Sequence, residues 1–102
     1  MYDMNNRRKV AELAKGAPDV WDKFKAFENA LRAEGAIPKK YKELIALGVA
    51  LTTQCPYSLE LHRQAAIAAG ATEAELAETV FMTALMRAGG AVMHGTHLRP
   101  ES

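Results

Sequence analysis

Three of the prolines and three of the glycines divide this chain into segments whose apolar residues recur every three or four positions. Proline is tolerated in the first turn of a helix, and segments begin at Pro18, Pro38 and Pro56. Glycine is common just after the last turn, and segments end at Gly16, Gly35 and Gly70. No stretch of useful length shows the alternation of a strand. The sequence therefore predicts an all-α domain of about five to six helices.

The first three predicted helices differ in how their apolar residues are arranged. A short helix ends at Gly16, and a second, from Pro18 to a cap at Gly35, carries aromatic side chains at three- and four-residue steps. We expect this aromatic stripe to pack in the core, because large aromatic side chains dominate core burial. A third helix begins at Pro38. Its Gly48 predicts the close approach of another helix, since an interior glycine costs about 1 kcal/mol relative to alanine.

The C-terminal half has clearer boundary signals. A fourth helix is predicted from Pro56 to about Ala69, and the T-x-x-E capping box of Thr72 and Glu75 starts a fifth. The fifth helix is apolar almost all round, so we expect it to be central in a monomer or to face another subunit. The pair Gly89-Gly90 is expected to break or kink it before a last short segment.

Length and composition limit the domain count and the classes of function. With 102 residues the chain predicts a single domain, 1–102, near the lower limit at which one core is stable without a metal, disulfides or a partner, so oligomerisation is left open at this point. A net charge of +1 argues against a nucleic-acid partner. One cysteine and no signal-peptide pattern predict a cytoplasmic location. The lack of an apolar run of ~20 residues predicts no membrane insertion.

The only cysteine lies in the stretch Thr53–His62, where we expect the chemistry to occur. Pro56 indicates that Cys55 stands at or next to a helix N-cap, where the helix dipole favours the thiolate. Ser58 and His62 follow at spacings that place all three side chains on one helical face. A lone cysteine is most often a small buried hydrophobe, and a lone histidine a hydrogen-bonded core residue. Their alignment instead favours a nucleophile, a hydroxyl and a proton carrier acting together.

Two other groups of polar residues leave alternatives open. Glu43 shares an otherwise mainly apolar line of the third helix. It is either a solvated glutamate favoured by the helix dipole or a partly buried carboxylate that needs a partner. His94 and His97 have a spacing that can ligate metal. Without a third ligand they are expected to be surface or interface histidines, so neither a metal nor a cofactor is predicted.

Four parts of the sequence share a pattern with a known superfamily. They are Lys42–Leu47, Thr52–His62, Ala69–Ala77, and Arg87–Gly90 with His94-Gly95. Over about residues 38–97 this pattern resembles the carboxymuconolactone decarboxylase superfamily, specifically its alkylhydroperoxidase D-like core. The resemblance implies a small all-α domain that assembles as a homo-oligomer, a trimer or a hexamer.

The resemblance also implies that Glu43, Cys55, Ser58 and His62 are the catalytic residues. Glu43 matches the family's glutamate, Cys55 the first cysteine of its C-x-x-C pair, and His62 its histidine. The implied function is that of a thiol-dependent (alkyl)hydroperoxide reductase-like antioxidant protein with an external thiol or dithiol reductant. Ser58 stands where the family has the peroxide-attacking second cysteine, so turnover is expected to be impaired. Ser58 is either the natural residue of a divergent branch or an engineered replacement.

Two other functions remain open on the same fold. One is a non-enzymatic oligomeric module that binds a small molecule or a partner in the same pocket. The other is a carboxymuconolactone decarboxylase-like enzyme that acts by acid and base on a small carboxylated substrate. Cys55 argues against the second, because branches with that chemistry generally lack the cysteine motif.

Overall fold

The computed structural model describes residues 2–101, which form five α-helices and no strand. The helices are α1 (Val10–Gly16), α2 (Pro18–Arg32), α3 (Lys39–Thr53), α4 (Pro56–Ala68) and α5 (Glu73–Gly95). A 3-10 helix, Met4–Lys9, precedes α1, and another, Thr96–Leu98, follows α5. The predicted all-α class is confirmed. None of the helices in residues 2–101 has the length and hydropathy that a membrane span needs.

The centre of the fold is α3, which packs against both α4 and α5. The buried apolar residues are Leu47 and Ala50 of α3 and Ala66 of α4. A tight turn joins the two helices: Gln54 adopts a left-handed conformation with φ 56°, and the Cys55 amide donates to the Ala50 carbonyl at 3.1 Å. The chain thereby reverses direction within two residues, and α4 starts directly beside the end of α3.

The contacts of α5 agree with two of the local sequence signals. The Thr72 hydroxyl accepts from the Glu75 amide at 3.1 Å, and the Glu75 carboxylate accepts from the Thr72 amide at 2.9 Å, so the predicted capping box is confirmed. A Cβ added at Gly48 would lie 3.3 Å from the Thr83 hydroxyl oxygen of α5. The close approach predicted at Gly48 is therefore also confirmed, and α5 is the helix that makes it.

Two helix ends differ from prediction. The break expected at Gly89-Gly90 is wrong, because α5 continues through both glycines to Gly95. A glycine can adopt helical dihedrals at a cost of about 1 kcal/mol, which a long helix tolerates. The cap expected at Gly35 is also wrong: α2 ends at Arg32, and residues 33–38 run irregularly to α3.

The aromatic stripe of α2 does not pack in a core within this chain, so that prediction is wrong. Phe24 and Phe27 are 53% and 64% exposed. The physical reason is that α2 contacts only α1 and α3 among the described helices, which leaves its apolar side uncovered. The second half of α5 is equally uncovered, with Val92 72% and Met93 68% exposed. A central position for α5 in a monomer is therefore wrong, and contact with another subunit remains a prediction.

Candidate active site

Glu43 lies in the first turns of α3 and is almost completely buried, with 1% of its surface exposed. Its Oε2 atom lies 2.6 Å from His62 Nδ1, and its Oε1 atom accepts from Arg32 Nε at 3.0 Å. Of the two interpretations of this residue, the solvated glutamate is wrong and the buried, partnered carboxylate is confirmed. Helices α2, α3 and α4 each contribute one side chain to this cluster.

The charge state of Glu43 follows from its partners. Burial by itself raises the pKa of the Glu43 carboxyl, but hydrogen bonds from His62 and Arg32, with the Arg32 and His62 charges, lower it further than burial raises it. The net result is a pKa below the ordinary value. The ionised carboxylate only accepts hydrogen bonds, so the proton between Glu43 and His62 sits on Nδ1. The other ring nitrogen of His62 is therefore the one that can exchange protons with a bound molecule.

The thiol of Cys55 stands at the N-cap of α4, as the sequence predicts, with Pro56 in the first turn. It is partly exposed. The Ser58 hydroxyl lowers the pKa of the Cys55 thiol most, and the Ser58 and Tyr57 backbone amides add to this effect, while burial opposes it. The Cys55 side chain makes no capping hydrogen bond of normal geometry, so we attribute the effect to nearby dipoles at the helix start.

A cavity of about 470 Å³ opens beside the Glu43 cluster. Its polar and charged lining comes from Arg32, Lys42, Glu43, Thr53, Ser58 and His62. Its other walls are mainly apolar and are contributed by Leu31, Ile37, Ile45, Ala46, Val49 and Ala50. Cys55 is not among the lining residues. The structure thus brings three of the four predicted site residues to one cavity and places the thiol one helical turn before Ser58.

Arg32 is a site residue that the sequence reasoning missed. It lies in the last turn of α2, and its guanidinium is the partner that a buried Glu43 requires. A signal existed: the interpretation of Glu43 as a buried carboxylate demands a cation, and Arg32 ends the preceding helix. The sequence alone could not rank it above Lys39, Lys40 or Lys42, which are nearer in the chain.

His94 and His97 lie away from the predicted site residues in the chain, at the end of α5 and in the following 3-10 helix. Their rings stack with centroids 5.9 Å apart. Residues 2–101 contain no group of three or more side chains that could hold a metal ion. We assign these two histidines no part in the site.

Known proteins share both the sequence pattern and the fold. The model of the carboxymuconolactone decarboxylase family matches residues 18–98. An uncharacterised protein of the cox locus of Paracoccus denitrificans is 38% identical over 85 residues, covering 83% of this chain and 77% of that protein. An uncharacterised protein of Cupriavidus necator is 27% identical over 89 residues, covering 87% and 79% of the two chains.

Two crystal structures are similar to the described fold. A protein from Methanobacterium thermoautotrophicum gives a TM-score of 0.79 at 33% identity, covering 86% of this chain and 99% of that one. A carboxymuconolactone decarboxylase family protein from Legionella pneumophila, in its apo form, gives 0.76 at 33% identity, covering 90% and 82%. Since the family match spans most of the chain and the fold agrees, this chain belongs to the carboxymuconolactone decarboxylase family.

Proposed function

We propose that this protein reduces hydroperoxides through the Cys55 thiol, with an external thiol or dithiol as reductant. One observation carries the proposal: His62, which is paired with the buried Glu43 of α3, lies on α4, the helix whose N-cap is a thiol of lowered pKa. A thiolate is the nucleophile that hydroperoxide reduction needs, and a histidine held by a carboxylate can move the proton. The apolar walls of the neighbouring cavity suit the organic part of an alkyl hydroperoxide.

The first half of the reaction uses only residues of this site. His62 takes the proton of the Cys55 thiol, and the thiolate attacks the terminal oxygen of the hydroperoxide. The oxygen–oxygen bond breaks, and its electron pair leaves on the alkoxide, which receives the proton back from His62. The products are the alcohol and a sulfenic acid on Cys55. Glu43 stabilises the charged imidazole ring while it holds the extra proton.

The second half needs a thiol from outside, because Ser58 cannot form a disulfide. An external thiol attacks the sulfenic sulfur, and the hydroxyl leaves with a proton as water. A second thiol then attacks the resulting mixed disulfide and restores Cys55, giving the disulfide of the reductant. The cytoplasmic location expected from the sequence would supply such thiols. The need for an external thiol predicts slower turnover than a two-cysteine site would show.

Peroxide consumption in the presence of dithiothreitol tests the proposed function. We expect Ser58→Cys to consume hydroperoxide at least ten times faster than the unmodified chain, because a second thiol closes a disulfide within the site. Cys55→Ser, which has no thiol, should not exceed the background of dithiothreitol alone. If neither the unmodified chain nor Ser58→Cys exceeds that background, the proposal is wrong.

A second candidate function is acid–base catalysis on a small carboxylated substrate. It is favoured by the cavity lining, which includes Glu43, Ser58 and His62 but not Cys55. In that case Cys55→Ser would leave the consumption of carboxymuconolactone unchanged, whereas Glu43→Gln would abolish it. If no variant acts on either substrate class, the non-enzymatic binding module is the remaining function.

We propose that the protein works as a homo-oligomer, either a trimer or a hexamer. A single chain exposes 8070 Å², whereas a folded monomer of its 11.1 kDa mass is expected to expose about 5,700 Å². Its radius of gyration is 17.6 Å, against about 13 Å for a compact domain of this length. Much of the excess surface is apolar, on α2 and α5, and subunit contacts would cover it.

A further inference from the structure

Arg32 is partly exposed, yet it pairs with a buried carboxylate. Its Nε donates to Oε1 of Glu43 at 3.0 Å, and the Glu43 side chain is only 2% exposed. Leaving a buried carboxylate without a compensating cation is costly. Apart from His62, no other basic side chain of the described residues lies within salt-bridge distance of Glu43. Arg32 is therefore the permanent positive charge of this cluster.

The same contact fixes the geometry of the carboxylate. Arg32 occupies Oε1, so Oε2 is the oxygen that faces His62 Nδ1 at 2.6 Å. A carboxylate held at one oxygen cannot rotate freely to offer the other in a different direction. The ring of His62 is thereby held with Nδ1 towards Glu43, which leaves the opposite nitrogen for the cavity.

The backbone around Arg32 is fastened to the start of α3. Lys42 Nζ donates to the carbonyls of Leu31 and Ala33, on either side of Arg32, at 2.7 and 2.8 Å. One residue further, the Glu34 carboxylate accepts from the Lys39 amide at 3.1 Å. The end of α2 therefore does not move independently of α3, the helix that carries Glu43.

We propose that Arg32 is a positioning residue that aligns Glu43 on His62 and so fixes which ring nitrogen serves the cavity. It acts through Glu43 and does not itself react. The proposal rests on the proposed function only for the step in which His62 moves a proton. The alignment itself is a property of the structure that can be measured without any substrate.

The measurement is the exchange of the His62 Nδ1 proton with water, followed by NMR on the ¹⁵N-labelled protein. In the unmodified chain this Nδ1 proton is donated in a hydrogen bond to the Glu43 carboxylate and should exchange slowly. In Arg32→Gln we expect exchange at least ten times faster, because the carboxylate loses its anchor. Arg87→Gln is the matched control: it makes the same chemical change on an exposed arginine of α5 and should leave the exchange unchanged.

A double-mutant cycle separates positioning from a general loss of structure. Glu43→Gln alone should remove the slow exchange, and Arg32→Gln should add no further change in the Glu43→Gln background. If Arg32→Gln does not fold, Arg32→Lys, which keeps the charge without the planar fork, should still raise the exchange rate at least threefold. An unchanged rate in a folded Arg32 variant, or equal effects of Arg32→Gln with and without Glu43, would overturn the proposal.

Activity gives an independent reading of the same residue. If hydroperoxide reduction occurs, Arg32→Gln and Glu43→Gln should slow it by similar factors, and the double variant should be no slower than Glu43→Gln. If the activity losses of the two single variants multiply in the double variant, Arg32 does not act through Glu43. If the unmodified chain reduces no hydroperoxide, the proposed function fails, while the exchange measurement still decides the role of Arg32.

Discussion

Ser58 has two opposite effects on the neighbouring thiol. Its hydroxyl and amide lower the pKa of Cys55, which favours the reactive thiolate at neutral pH. Its lack of sulfur removes the second thiol that would convert a sulfenic acid on Cys55 into a disulfide within the site, ready for reduction. Under the proposed function, each oxidation of Cys55 would therefore depend on another molecule for its reversal.

The pH dependence of alkylation measures the first of these effects. Because the pKa of Cys55 is lowered, its iodoacetamide reaction should reach half its maximal rate at a lower pH than that of a free cysteine peptide. Ser58→Ala should move this midpoint upwards, since it removes the largest lowering contribution. Thr53→Ala is the control, because the Thr53 hydroxyl donates to the Ala50 carbonyl. A midpoint unmoved in Ser58→Ala would show that the hydroxyl does not tune the thiol.

The residues of the site were predictable where the signal is local and not where it depends on packing. The position of Cys55 at an N-cap follows from the adjacent Pro56, and the structure confirms it. The burial of Glu43 was one of two open interpretations. Arg32 was missed because its contact with Glu43 crosses the irregular residues 33–38, whose path has no sequence signature. Which side chains line the cavity also depends on packing that spacing alone does not give.

The same division between local signals, which were predictable, and packing, which was not, applies to the helices. The start of α5 was predictable because Thr72 and Glu75 satisfy each other's backbone amides within four residues. The end of α5 was not predictable, because Gly89-Gly90 lowers the helix propensity without preventing the helix. The cost of a glycine therefore has to be judged together with what a side chain there would contact.

Two glycine-to-alanine substitutions test this statement with the same chemical change. A Cβ at Gly89 meets nothing within 4 Å, so Gly89→Ala should raise the free energy of unfolding by up to about 1 kcal/mol. At Gly48 the Cβ would lie 3.3 Å from the Thr83 hydroxyl oxygen. That hydroxyl is held by its hydrogen bond to the Thr79 carbonyl at 2.8 Å, so Gly48→Ala should lower the free energy of unfolding. Urea unfolding at one protein concentration checks both. Equal stabilisation by the two variants would contradict the close packing of α3 and α5.

At the scale of the whole molecule, the sequence predicted apolar helices but not where their faces would be covered. Phe24 and Phe27 have the spacing of a core stripe, yet the single chain leaves them exposed. Periodicity identifies an apolar face and does not say whether its partner belongs to the same chain. The small buried core, centred on Leu47, Ala50 and Ala66, agrees with a domain that is completed by other subunits.

Light scattering after size exclusion tests this expectation. We expect a molar mass of three or six times the 11.1 kDa of one chain. Met86→Asp, which places a charge on the exposed apolar face of α5, should shift the distribution towards smaller species, since burying an unpaired charge is costly. Lys23→Asp, on the polar side of α2, is the control and should not. If the unmodified chain has the molar mass of a monomer at micromolar concentration, the homo-oligomer is contradicted.

The reaction of Cys55 with hydroperoxide, measured by dimedone trapping and intact mass, tests the proposed chemistry most directly. A brief pulse of hydroperoxide should give one dimedone adduct on the unmodified chain, formed at least ten times faster than on His62→Ala. Cys55→Ser should give none, which assigns the adduct to the thiol. If the unmodified chain forms the adduct no faster than a free cysteine peptide, or no faster than His62→Ala, then the Glu43–His62 pair does not activate the Cys55 thiol.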